Sequence, residues 1–402
     1  MIHLFRVAMN PDVMLPLREV LLSGYIGQGA KVDEFEARLS EYLGTPYVVT
    51  TNSGTSALHL AYRLAGVGPG TDVVTTPMTC MATNEPILER GGRVVWADVN
   101  PATGNIDPDD AYRKITGKTR ALVCVHWGGM PCDMAALRAV ADDAGVALIE
   151  DAAHAFGAEY AGQKIGGMAV NGAGRPQERL SGANGENVAG EHPGALWGDF
   201  CAFSFQAIKL LTTGDGGALV CRNAADYKRA KLLRWYGMDR EDKTRLEMRC
   251  EADVPEAGYK FHMNDINATI GLANLPRVPA LLERTRLNAA YYDGEFRSRN
   301  LSHVTRTARD MDRRSSFWLY TFMADDPRLF IDLLKSRGVH ASQVHVRNDI
   351  HSCFAVSRTS LPGVDEFTAH QVNIPVGWWV TDEDRETVMA AIQKYDDILG
   401  RA

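Results

Sequence analysis

The chain has 402 residues, 45% hydrophobic and 23% charged, a globular composition that suits one large domain and a smaller one. A formal net charge of -7 argues against a nucleic-acid surface, which needs a basic stripe. Seven scattered cysteines without a C-x-x-C pair suggest neither a zinc site nor a disulfide framework, so reduced thiols in a cytoplasmic protein are expected. The start, MIHLFRVAMNPDVMLPL, lacks a basic stretch followed by an apolar core, so no secretory signal is expected. No apolar run approaches the roughly 18 residues of a membrane span, so no membrane partner is expected either.

In chain order, residues 47–51 (YVVTT) read as a strand and 54–66 (GTSALHLAYRLAG) as a helix ending at Gly66. Residues 72–77, 93–99, 121–127 and 146–152 are further strands, with helical stretches such as 133–145 (DMAALRAVADDAG) between them. Strands that are apolar throughout and separated by helices predict an α/β fold, with a mainly parallel sheet covered on both faces. Ligands then gather at the carboxyl ends of the strands. Residues 165–197, rich in Gly, Asn, Glu and Pro, read as a long inserted surface loop. From about residue 251 a smaller α+β unit is expected, with a helix over 281–299 and strands over 317–324 (FWLYTFMA) and 339–346 (VHASQVHV). The expected division is thus a large domain over 1–250 and a small one over 251–402.

Three places carry chemistry. At TTNSGTSALHLA, Gly54, Thr55 and Ser56 open a helix whose first amides have no intrahelical partner, an anion site; they also suit plain helix capping. In VALIEDAAHAFGA an apolar strand ends at Asp151, with His154 one turn on. Asp151 can hold a protonated ring nitrogen by a charge-assisted bond or simply cap a helix, and His154 can meet a ring or sit satisfied at the surface. In FSFQAIKLLTTGDGGALV, Lys209 stands among apolar and glycine residues, where burial turns an ammonium into a neutral nucleophile. A phosphate, a pyridine nitrogen and an aldehyde match the three in turn, and pyridoxal 5'-phosphate (PLP) carries all three.

Together with TTPMTCMATNEPILERGG, VHWGGMPCDM, GYKFHMNDINATIGLANL and VHVRNDIHSCF, these segments resemble the DegT/DnrJ/EryC1/StrS sugar aminotransferases, a family of fold type I PLP-dependent enzymes. The resemblance runs over nearly the whole chain. It implies Lys209 as the Schiff-base lysine and Asp151 as the pyridinium partner. It also implies phosphate contacts from Gly54, Thr55 and Ser204, His154 near the ring oxygen, and a homodimer in which Lys260 reaches the neighbouring cofactor. Cys80 stands where the family often has a stacking aromatic, and Lys260 where it has an asparagine. The implied reaction moves an amino group from an amino acid, glutamate foremost, to a ketone on a nucleotide-linked deoxysugar.

For the acceptor, His345, Arg347 and His351 in VHVRNDIHSCF are candidates, with Arg234 behind them. Arg347 can clamp an anion in a bidentate way or pair with Asp349. A free cyclitol ketone remains an alternative acceptor. A PLP-dependent sugar dehydratase is an alternative reaction, although such relatives have histidine at the lysine position. A G-x-S-x-G elbow and a G-x-G-x-x-G turn are both absent, which speaks against a hydrolase and a nicotinamide enzyme.

Overall fold

A computed structural model describes residues 1–168, 196–240 and 253–401. Strands β1 (Val48–Thr51), β2 (Asp72–Thr75), β3 (Arg93–Trp96), β4 (Thr119–Val125) and β5 (Ala147–Asp151) come first. After the short β6 (Glu159–Tyr160) and β7 (Gln163–Lys164) follow β8 (Phe200–Ser204) and β9 (Gly217–Cys221). Seven of them form one sheet in the order β1-β9-β8-β5-β4-β2-β3. Five of these strands, β8, β5, β4, β2 and β3, pair in parallel, while β9 runs antiparallel to both β8 and β1. Only β9 is therefore reversed, and β1, β5 and β8 all end on one edge of the sheet.

The continuous apolar runs follow from burial on both faces. In β4, Leu122 and Cys124 enter one core while Ala121 and Val123 enter the other. After α1 (Met14–Leu22), helix α2 (Ala30–Leu43) completes the first core on one flank, with Phe35 and Leu39 fully buried. The second is covered by α3 (Gly54–Leu64) and α4 (Met81–Glu89), through Leu58, Ala61 and Ile87. Helices α5 (Pro108–Lys114) and α6 (Met134–Ala144) follow β3 and β4, and α7 (Ala224–Leu233) follows β9. Each of α3 and α6 starts on a side chain that accepts an amide: Ser53 from Ser56 and Asp133 from Ala136.

Helix α8 (Asp265–Asn274) lies against the large sheet's core with Met263 and Leu275, and α9 (Val278–Ser298) crosses from that core to the next. The apolar cores part inside α9, where Val278 belongs to the first and Ala289 to the third, whereas composition changes near residue 251. The third core sits on an antiparallel sheet of β10 (Val304–Arg306), β12 (Tyr320–Ala324) and β13 (Gln371–Ile374). Strand β11 (Arg313–Arg314) instead pairs with β6. Helices α10 (Pro327–Ser336), α11 (Pro362–His370) and α12 (Asp382–Leu399) complete the chain. Phe367 of α11 packs edge-on against Trp127 and, with Val364 of the same helix, joins the second core on the large sheet.

One expected strand is not a strand. Residues 339–346 form only two isolated bridges, Val339 to Ile2 and Ser342 to Asn373. The backbone switches partner midway, since His340 donates to Ile2 and Ser342 donates to Asn373, so no ladder propagates. The core of the expected 165–197 insertion lies outside the described residues; its ends, Ile165, Leu196 and Trp197, are buried. Among the described residues, no helix is long and apolar enough to cross a membrane.

Candidate active site

The site forms where β1, β5 and β8 end. Helix α3 begins directly after β1, and Gly54 is there because space demands it: a Cβ would sit 2.8 Å from the Ser204 Cβ and 3.1 Å from its Cα. The helix start therefore lies against the end of β8 and brings Gly54, Thr55 and Ser204 together. Ser53 Oγ accepts from the Ser56 amide at 3.0 Å, and Ser56 Oγ donates to Asn52 Oδ1 at 2.6 Å. The amides of Gly54 and Thr55 find no acceptor among the described residues, which leaves the positive end of the helix open to an anion.

Asp151 is buried at the end of β5. Its Oδ1 accepts from the Ala153 amide at 3.0 Å and its Oδ2 from Thr83 Oγ1 at 2.6 Å. Thr83, from α4, is a contact that sequence reading missed. Its only signal was position, one turn after Cys80 and facing the same edge.

Lys209 lies in the turn between β8 and β9. Its stem is partly accessible, but its ammonium is enclosed, with Nζ 4.0 Å from the centre of the Trp318 ring. Burial pushes its pKa down to about 8, against the opposing pull of the Asp151 carboxylate and the Cys80 thiol. Cys80 itself is exposed at the start of α4. His154 is buried and stacks on Trp318 with ring centres 3.7 Å apart and planes at 14°. Its Nε2 is 3.4 Å from Nε2 of His345, and its buried Nδ1 has no partner among the described residues. Burial first, then the Lys209 charge, lower both imidazoles, His345 to about 4 and His154 well below its ordinary value. Both rings are therefore neutral near pH 7.

Trp318 was read only as part of a strand, yet it joins the site's parts. Its Nε1 donates to the Ile208 carbonyl at 3.2 Å, one residue from Lys209, and its other neighbours are Phe5 and His345. Phe317 before it has φ 51°, held by a bond from its amide to Ser315 Oγ at 2.9 Å. Ser316 Oγ donates to the His154 carbonyl at 2.8 Å, which locks this segment to the end of β5. The cleft beside Lys209 holds about 390 Å³, counting its open part, and its walls include Phe5, His154, Trp318 and Trp378. The tandem tryptophans of GWWV were the overlooked sequence signal for it. Gly377 lets them fold over, because a Cβ there would lie 2.0 Å from the Trp379 ring.

The remaining candidates stand apart. Arg347 is committed to carboxylates: Nε and Nη2 each lie 2.7 Å from Asp349, and Nη1 bonds Asp365. Arg234 is buried and holds the Glu36 carboxylate and, at 2.9 Å, the Thr50 carbonyl. His351 lies between two short 3-10 turns and is not among the residues that line the cleft. Lys260 is exposed in a bridge with Trp235, its carbonyl accepting from Asn52 at 3.3 Å.

Free amides at a helix start, an enclosed amine without an ion-pair partner among the described residues, a buried carboxylate and an orphaned imidazole nitrogen on one sheet edge fit PLP. The model of the DegT/DnrJ/EryC1/StrS aminotransferase family matches residues 8–173 and 180–393. Among solved structures, the sugar aminotransferase CalS13 from Micromonospora echinospora is 41% identical, with a TM-score of 0.87, over 98% of this chain and 100% of that one. The PLP-form of Spr1654 from Streptococcus pneumoniae is 25% identical at a TM-score of 0.84, over 99% of each chain. The spore coat polysaccharide biosynthesis protein SpsC of Bacillus subtilis is 30% identical over 93% of this chain and 92% of its own. The chain belongs to the DegT/DnrJ/EryC1/StrS aminotransferase family and is a PLP-dependent aminotransferase.

Proposed function

We propose that the enzyme transfers the amino group of an amino acid, glutamate foremost, to the keto group of a nucleotide-linked deoxysugar. The observation that carries this reading is the Lys209 amine, its pKa lowered by burial to about 8, within reach of Asp151's field and at the foot of an aromatic cleft. The family and the sugar-related names of CalS13 and SpsC support the acceptor class.

When bound, PLP supplies an aldehyde that condenses with primary amines and a ring that accepts the electron pair left by a removed α-proton. Asp151, each of whose oxygens accepts one hydrogen bond, would hold the ring nitrogen through a charge-assisted bond and so favour its protonated form. The amides of Gly54 and Thr55 and the Ser204 hydroxyl would hold the phosphate. His154 Nδ1 is available to a ring oxygen. Lys209, with a pKa about 8, takes a proton from the donor's α-carbon and returns one to the acceptor's carbon, a poise that suits both directions. Trp318 keeps water from that amine. The enzyme works as a homodimer with Lys260 directed at the partner's cofactor phosphate. Exposed Met14, Leu15, Leu21, Leu22, Tyr25 and Ile26 near α1 supply apolar surface for that contact.

The test is direct. Purified protein should be yellow, and borohydride should bleach it while fixing the cofactor on Lys209, as peptide mass spectrometry reads. Lys209→Ala should fold, lose the borohydride-fixed peptide and lose turnover of glutamate with nucleotide-linked keto-sugars. Near-normal turnover in that variant sinks the mechanism. Turnover of a cyclitol ketone but of no nucleotide-linked sugar sinks the acceptor.

A further inference from the structure

A phosphate-bearing acceptor needs a cation, and the two guanidinium groups first suggested for it are spent on internal carboxylates. Arg6 is different. It lies on an extended N-terminal segment anchored by buried Leu4 and Ala8, and by the Trp379 Nε1 bond to the His3 carbonyl at 2.8 Å. Its guanidinium stands 5.6 Å from the centre of the Trp378 ring. Among the described residues no carboxylate pairs with it, and it lines the same cleft as Lys209 and His154. Its neighbour Phe5 stacks on Trp318 at 4.9 Å. The cleft thus has an amine at its foot, flat aromatic walls suited to the C–H faces of a sugar ring, and an unpaired planar cation at its side.

Resting on the nucleotide-sugar reading above, we infer that Arg6 binds the diphosphate of the acceptor and so selects nucleotide-linked sugars over free ones. The donor's carboxylate is the other anion such a group can serve. That carboxylate sits two bonds from the reacting nitrogen, next to Lys209. Lys209 Nζ lies over the Trp318 ring, whereas Arg6 stands beside Trp378, so the two cations sit against different walls of the cleft. Its position therefore favours the remote diphosphate.

The experiment compares wild-type holoenzyme with Arg6→Gln and Arg6→Lys. Calorimetry measures uridine and thymidine diphosphate binding, with inorganic phosphate as a control. Visible absorbance follows the half-reaction with glutamate alone. Arg6→Gln should weaken nucleoside diphosphate binding about tenfold or more, and Arg6→Lys less, because the fork is lost but the charge is kept. The acceptor KM should rise with kcat nearly unchanged, and the glutamate half-reaction should stay within about twofold, since Arg6 does not touch the reacting atoms. Unchanged nucleotide binding in Arg6→Gln, or a slowed glutamate half-reaction with nucleotide affinity intact, overturns the assignment while leaving the nucleotide-sugar reading standing. Wild-type enzyme that binds neither nucleotide overturns both.

Discussion

Replacing Lys209 by Met in cofactor-free protein should stabilise it, by an amount that depends on pH. Met matches the length of the lysine stem and keeps its contact with Trp318 without the charge. The folded-state pKa of about 8 lies below the ordinary 10.5, so the folded chain binds the proton more weakly than the unfolded chain. The favourable contribution of a depressed pKa is present above 10.5 and lost as pH falls through about 8. At pH 7 the wild type carries the full burial cost, about 3 kcal/mol at 1.36 kcal/mol per pH unit, trimmed to about 2 because the residue is partly accessible to water. At pH 10 the folded amine is already neutral and the unfolded one is within about half a pH unit of giving up its proton, so the cost falls below about 1 kcal/mol. Urea unfolding of both proteins at pH 7 and pH 10 measures the difference, and groups common to the two cancel. A gap that stays constant with pH, or a less stable Met variant at pH 7, refutes the claim that the ammonium is enclosed at a cost.

Gly54→Ala should cost about 1–3 kcal/mol, because the new methyl meets the Ser204 Cβ and neither the helix start nor the strand end can yield freely. Thermal unfolding reads the stability, and absorbance titration with PLP should show weakened binding as the amides move. Glu150 and His126, both buried, face each other at 3.1 Å. Burial works to lower the His126 pKa, but Cys132 and Glu150 together raise it to about 10. That stabilisation is complete below the ordinary 6.5 and lost as pH rises through about 10. Glu150→Ala should therefore cost about 3 kcal/mol at pH 6 and clearly less at pH 10, as denaturant midpoints read; an equal cost at both would show packing loss alone.

Much of the fold was legible from local pattern. Strands β1, β2, β4 and β5 announced themselves as unbroken apolar runs, because a sheet covered on both faces asks the same of every position. The start of α3 and the end of β5 were legible for the same reason: a cap and a carboxylate at a strand end are short-range features. Arg347 was not, since its two alternatives differed only in whether Asp349 and Asp365 came within reach, and Asp365 is on α11. Nor was residue 339 onward, where β-like composition meets two different partners and no ladder forms. Trp318 and Arg6 were invisible as site residues because their meaning depends on neighbours far along the chain: Lys209, His154 and Phe5 for one, Trp378 for the other. Sequence determined which chemistry the sheet edge offers, through contacts of a few residues. Which aromatic rings enclose the amine, and which cation is left unpaired, were decided only when segments hundreds of residues apart closed on one cleft.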